Sequence, residues 1–170
     1  QMDPVLKALA TRVTDEHPRV RLEALRALAK FPTARAAELA LSVLDLPMDP
    51  HLEYALWLTI NDLAEPFLAA LKSGQWKIVG REKQLEFALK SIEPAQAGAV
   101  LSQILEQQPL DREGSGNWIE ILGQAGRPNE LRKLFNQVLS GGFSDAAAVR
   151  ALTSLDQAAR LRNIRPSGDL

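Results

Sequence analysis

The chain has no cysteine, only 5% aromatic residues and almost no net charge, and each shortage removes a class of explanation. Without cysteine there can be no disulfide, no thiolate metal site and no cysteine nucleophile. The redox compartment stays open, because a cysteine-free chain suits either side of a membrane. Scarce aromatics beside abundant Ala and Leu favour close helix-on-helix packing over a sheet core, which draws on Val, Ile, Thr and Tyr. Lys and Arg number 20 against 21 Asp and Glu, a formal charge of -1. The two signs balance in both halves, so no duplex-binding surface is advertised. No apolar run approaches the roughly 18 to 20 residues that span a bilayer, which predicts no membrane insertion. The chain opens Gln1-Met2 without a basic leader and apolar core, so any targeting peptide is expected outside it.

What is present is material for a core: 170 residues, 46% of them apolar, suffice for one compact domain or one continuous stack. The expected fold class is all-α. Asp3-Pro4 opens a first helix, since Asp caps free amides and Pro at the first helical position has no amide to lose. Leu6, Leu9, Ala10 and Val13 follow at spacings of three and four. His17-Pro18 restarts the chain, and Val20, Ala24, Leu25, Leu28 and Ala29 give helix two a stripe facing two neighbours. Helix three is expected from about Thr33 to Leu44. Asp49-Pro50 opens helix four, about 50 to 63, whose apolar residues occupy most of its circumference and predict heavy burial.

Pro66 starts a short fifth helix that Lys72-Ser73-Gly74 ends with a cation and a glycine. Helices six to ten are expected near Glu82 to Ile92, from Pro94, from Trp118, from Pro128 and from Ser144-Asp145, with Leu155 to Asn163 prolonging the last or starting its own. Pro109 to Asn117 is expected to be a mobile surface loop, because its Asp, Arg, Glu, Gly and Ser residues bury little. Helix hairpins thus begin near Pro4, Thr33, Glu65, Pro94 and Pro128, a spacing of roughly 30 residues, within the range of helical repeats. The competing arrangement is an irregular helical bundle.

The run Asp15-Glu16-His17-Pro18-Arg19-Val20-Arg21, continued by Ala24, Ala27 and Leu28, resembles the core of a HEAT-type repeat, closest to short bacterial forms that include phycobilisome-lyase-like repeats. The resemblance implies a right-handed α-solenoid, HEAT-like or armadillo-type, of about five hairpins over residues 1–170. Hairpins of this kind bury their apolar faces only against neighbouring hairpins. It also implies that Asp15 and Arg21 are ladder residues bonding consecutive turns and that Val20 is a core residue. Later hairpins lack the signature, so their docking is expected to rest on packing alone. A narrower resemblance rests on residues 17–24, on Leu52-Glu53-Tyr54-Ala55-Leu56 and on the closing Arg165-Pro166-Ser167-Gly168-Asp169-Leu170. These are similar to the helical segment of large exported bacterial proteins described as haem-binding or membrane-bound dehydrogenases. It implies a fragment of a longer multidomain protein, periplasmic or exported, with any redox domain outside this chain. No Cys-x-x-Cys-His is present, so neither haem attachment nor dehydrogenase activity carries over.

No catalytic constellation is legible. His17 and His51, the only histidines, adjoin prolines at helix starts, where caps and exposed filler are common. Gly114-Ser115-Gly116 lacks the Lys-Ser/Thr and the preceding strand of a phosphate cradle. Glu82 with Glu86, and Glu113 with Glu120, are spaced as solvated helix faces rather than acid–base pairs. Catalytic, cofactor and metal residues are therefore all expected to be none. Arg19, Arg26 and Lys30, with Arg35 just beyond, form the strongest cationic patch, which Glu23 weakens; Arg160, Arg162 and Arg165 form a second. Trp57 is assigned to the core, and Trp76, in a loop beside Gly74 and Lys77, is the candidate exposed anchor. The expected role is a non-catalytic scaffold presenting a curved surface, centred on Arg19, Arg26, Lys30 and Trp76, to a protein or to neighbouring domains of the same chain. The alternatives are a lyase-like or DNA-repair-like enzyme or accessory, or a nucleic-acid binder.

Overall fold

Five helices begin with proline at their first position, where the missing amide costs nothing: Pro4, Pro18, Pro50, Pro94 and Pro128. In the computed structural model, which describes residues 4–77, 80–107, 110–115 and 118–168, the described residues form ten α-helices and one 3₁₀ helix, with no strand. The helices are α1 (Pro4–Arg12), α2 (Pro18–Leu28), α3 (Ala34–Leu41), α4 (Pro50–Asp62), α5 (Ala64–Lys72), α6 (Glu82–Ser91), α7 (Pro94–Gln107), α8 (Trp118–Ala125), α9 (Pro128–Leu139) and α10 (Asp145–Arg162). The fold is all-α, as its composition implies. The proposed cap Asp3 lies outside the described residues.

Local chemistry sets the helix ends. Thr33 Oγ1 accepts the Ala36 amide at 3.2 Å, and Asp49 Oδ1 accepts those of His51 and Leu52 at 2.8 and 2.9 Å. At the start of α9, Glu130 reaches back to accept the Arg127 amide at 2.9 Å. Gly74, at φ 70°, and Gly141, at φ 68°, take the left-handed conformation that closes α5 and α9. Two boundaries differ from expectation: the third helix tightens into the 3₁₀ turn Ser42–Asp45 ahead of Pro47, and α5 starts at Ala64. Of the two arrangements open for Leu155 to Asn163, α10 takes the first and runs unbroken to Arg162.

The chain divides into two compact units, residues 1–92 and 93–170. In the first, α1 packs on α2 and α3, α2 on α3 and α4, α3 on α4 and α5, and α4 on α5 and α6. Its core is built on the fully buried Leu25, Leu28, Leu41, Leu56, Ile60 and Phe67. Each such side chain contributes roughly 1.5–3 kcal/mol by leaving water. In the second unit, α8 packs on α7, α9 and α10, and α9 on α7 and α10. Ile119, Leu122, Leu131, Leu134, Ala151 and Leu155 lie at its centre. The α8–α10 approach is close enough that a Cβ on Gly123 would stand 2.7 Å from Ser154 Cβ and 2.8 Å from Ser154 O.

The segment expected to be a mobile loop is tied down where it is described; Pro109, Gly116 and Asn117 lie outside the described residues. Leu110 packs on the second core, Gly114 is buried, and backbone bonds hold the run: Ser144 N donates to Arg112 O at 2.8 Å and Ser115 N to Asp111 Oδ1 at 2.9 Å. The Ser115 amide, then the Ser115 hydroxyl and the amides of Gly114 and Glu113, hold the Asp111 carboxyl below its ordinary pKa. Polar side chains stay at the surface here, but backbone groups and Leu110 supply the anchoring that side-chain composition does not reveal.

Candidate interaction surface

Of Asp15, Val20 and Arg21, expected to act at the inter-helix turn, Arg21 alone joins two successive turns, and it does so through backbone carbonyls rather than through the Asp15 carboxylate. Arg21 is buried at 4% exposure, and its guanidinium donates to the carbonyls of Asp15 at 2.9 Å and Glu16 at 3.0 Å in the turn before α2. It also donates to the Pro47 carbonyl at 2.7 Å in the turn before α4. The Asp15 carboxylate instead accepts the His17 amide at 2.9 Å and lies 3.5 Å from Arg12. A planar fork serves several carbonyls where a point charge could not. Val20, expected in the core, is only half-buried, beside Leu9 in a shallow hollow between α1 and α2.

Docking beyond the first turn does not rest on packing alone. Lys83 donates to the Leu44 carbonyl at 2.5 Å, and Gln84 to Asp45 at 3.3 Å. In the second unit Arg150 grips Glu120 with two bonds of 2.7 and 2.8 Å and donates to Gly114 O at 2.9 Å. The hydrogen bonds from Arg150 hold the Glu120 carboxyl below the ordinary range, against the opposing effect of burial. Burial pushes the Glu130 carboxyl up, yet bonds from Ser102, the Arg127 amide and the Arg127 guanidinium together outweigh it and lower its pKa.

The cationic clusters are less basic than their sequence suggests. Arg19, Arg26 and Lys30 are exposed on α2 and just past its end, but Arg26 is paired with Glu23 at 3.2 Å. The Arg160–Arg162–Arg165 cluster is dispersed. Arg160 pairs with Asp156 at 2.8 Å, Arg162 donates to the α8 carbonyl of Gly123 and to Gly126, at 2.9 and 2.7 Å, and Arg165 borders a shallow hollow with Phe135 and Leu152. Burial lowers the Arg162 pKa, though a guanidinium keeps its charge.

Trp76 and Trp57 exchange the roles expected of them. Trp76 is 5% exposed, because its amide donates to Ala70 O at 3.1 Å and folds the loop back onto α5. Its ring meets Phe67 edge-on at 5.4 Å and lies under the Arg81 guanidinium at 5.4 Å, which Glu38 holds at 2.6 Å. Trp76 is therefore a core residue, not an exposed anchor. Trp57 is 43% exposed, and with Tyr54 at 62% and Leu58 at 42% it forms an outward stripe on α4. The Tyr54 and Trp57 rings stack at 6.0 Å, 13° from parallel.

That stripe is a ridge between two grooves. Between α2 and α4 runs a groove of about 620 Å³ floored by Leu22, Ala27, Ala29 and Ala55 and rimmed by Arg26, Lys30 and Asp62. Between α4 and α6 runs another of about 420 Å³, lined by Tyr54, Trp57, Phe87 and Lys90. The sequence carried a signal for this. On α4, Leu52, Ala55, Leu56, Thr59 and Ile60 make one stripe, and Tyr54, Trp57, Leu58 and Asn61 make a second on the other side. The second stripe ends in rings with polar tips, the side chains that suit a half-wet surface.

His17 and His51 are exposed, with their amides bonded to Asp15 and Asp49; Glu86 pairs with Lys90 at 2.5 Å, and Glu120 is held by Arg150. Among the described residues no group of three or more His, Asp or Glu converges on a metal position, and no helix is long and apolar enough to cross a membrane. Compared with protein-family models, with curated proteins and with solved structures, the chain matches none.

Proposed function

We propose that this chain is a non-catalytic helical-repeat scaffold of the HEAT-like kind, whose α2–α4–α6 face docks another protein or a neighbouring domain. The repeat reading is supported by alternating contacts within each unit: α1, α3 and α5 follow one another as one row and α2, α4 and α6 as another, and α7–α9 with α8–α10 repeat the scheme. Arg21, joining one inter-helix turn to the next, fits the same reading. The observation that carries docking is the exposed Tyr54–Trp57–Leu58 ridge between two apolar-floored grooves. Large aromatics flanked by mixed charge are what interface centres are made of. A phosphate-binding surface would instead need an excess of cations, and here Glu23, Glu53 and Asp62 share the face with Arg26, Lys30 and Lys90.

The test is a photoreactive residue in place of Leu58, with a control in place of the exposed Glu65 on α5, irradiated in the source cell. Protein adducts specific to position 58 are expected. Equal adducts at both positions, or adducts to nucleic acid, would overturn the reading. Affinity for duplex DNA at two salt concentrations separates the nucleic-acid alternative, since a phosphate groove must weaken steeply with salt.

A further inference from the structure

We infer that a second copy of this chain is an occupant of the α2–α4 face, paired about a two-fold axis running along the two helices; the inference rests on the docking reading above. The two helices run in the same direction, because Arg21, early in α2, bonds Pro47 ahead of α4, while Thr59, late in α4, donates to Leu25 O at 3.2 Å, late in α2. Charge is divided between them. Arg19 at the start of α2 and Lys30 just past its end are in no ion pair among the described residues, and neither are Glu53 at the start of α4 and Asp62 at its end.

Their lateral positions match as well as their heights. Lys30 and Asp62 both line the central groove, whereas Arg19 lies on the α1 side of α2 and Glu53 on the α6 side of α4. A two-fold axis along the helices lays each α2 over the other copy's α4, bringing Lys30 to the second copy's Asp62 and Arg19 to its Glu53. Shape follows charge. Leu58 of the α4 ridge then comes over the other copy's α2 within a turn of Ala27, by the register that the Thr59–Leu25 bond sets, and the long Arg26 side chain reaches toward the Tyr54–Trp57 rings, where a cation is attracted. A two-fold across the helices would instead set Lys30 against Arg19 and Asp62 against Glu53. Like charges would then meet at both ends, which selects the lengthwise axis.

Sedimentation of the full chain over a range of concentrations reads this directly. A monomer–dimer equilibrium is expected, weakened about tenfold or more by Lys30→Glu or by Asp62→Lys, because symmetry counts each reversal twice. An equimolar mixture of the two single variants should recover the original dimer affinity, as should the double variant. A chain that stays monomeric at all concentrations, or variants whose mixture does not recover, would overturn the inference. Adducts from position 58 to other proteins, with a monomeric chain, would leave docking standing and self-pairing refuted.

Discussion

Replacing Arg21 with methionine keeps most of the aliphatic stem and removes a guanidinium that bonds carbonyls at 2.9, 3.0 and 2.7 Å in two successive turns. Hydrogen bonds from a charged donor contribute about 1.5–3 kcal/mol each, so the gross loss is several kcal/mol. Two effects offset it. Removing a buried cation, whose Nε has no hydrogen-bond partner, returns part of its desolvation cost. The turn at Asp15 and Glu16 is also partly exposed, so water can reach the carbonyls that are left. The net expectation is a loss of about 2–4 kcal/mol. Urea unfolding followed by circular dichroism measures it, with the slope checked for constancy. Arg21→Lys should lose most of the same amount, since an ammonium cannot fork between two turns. An Arg21→Met chain within about 0.5 kcal/mol of the original would refute the claim that these bonds join the turns.

Leu56→Ala, at a fully buried position of α4, should cost on the order of 2–5 kcal/mol in the same assay. Asp15→Ala should cost only about 1 kcal/mol, the worth of the bond from the His17 amide. Gly123→Ala should destabilise the second unit by about 1–3 kcal/mol, because the new methyl meets the Ser154 backbone. The lowered Glu120 pKa makes its contribution complete above the ordinary carboxylate range and lost as pH falls through the folded value. Thermal midpoints taken from pH 6 downward to about pH 3 should therefore fall less steeply for Glu120→Gln than for the unaltered chain.

Helix positions were largely legible because their punctuation is chemical. Proline at first helical positions, Thr33 and Asp49 as caps, and Gly74 and Gly141 as stops act locally, within a turn of the residue concerned. What a helix face meets is not local. Trp57 lies on an apolar-looking helix and faces out, while Trp76 lies in a polar loop and faces in, because an amide bond to Ala70 turns that loop back on Phe67. The cross-turn role of Arg21 was legible in kind but not in partner, since its acceptors are backbone carbonyls that any residue could supply. Glu120 and Arg150 lie 30 positions apart, and nothing in either neighbourhood marks them as a pair. The Arg160–Arg162–Arg165 cluster failed for the same reason: adjacency in sequence gave no sign that the α8 end would take up Arg162.

The docking face is tested most directly by hydroxyl-radical labelling of Tyr54 and Trp57 in intact cells and in the purified chain at high dilution, with buried Trp76 as internal reference. Strong labelling of both exposed rings when dilute, and protection of several-fold in the cell with Trp76 unchanged, is the expected result. Equal labelling of Tyr54 and Trp57 under the two conditions would contradict a docked α2–α4–α6 face.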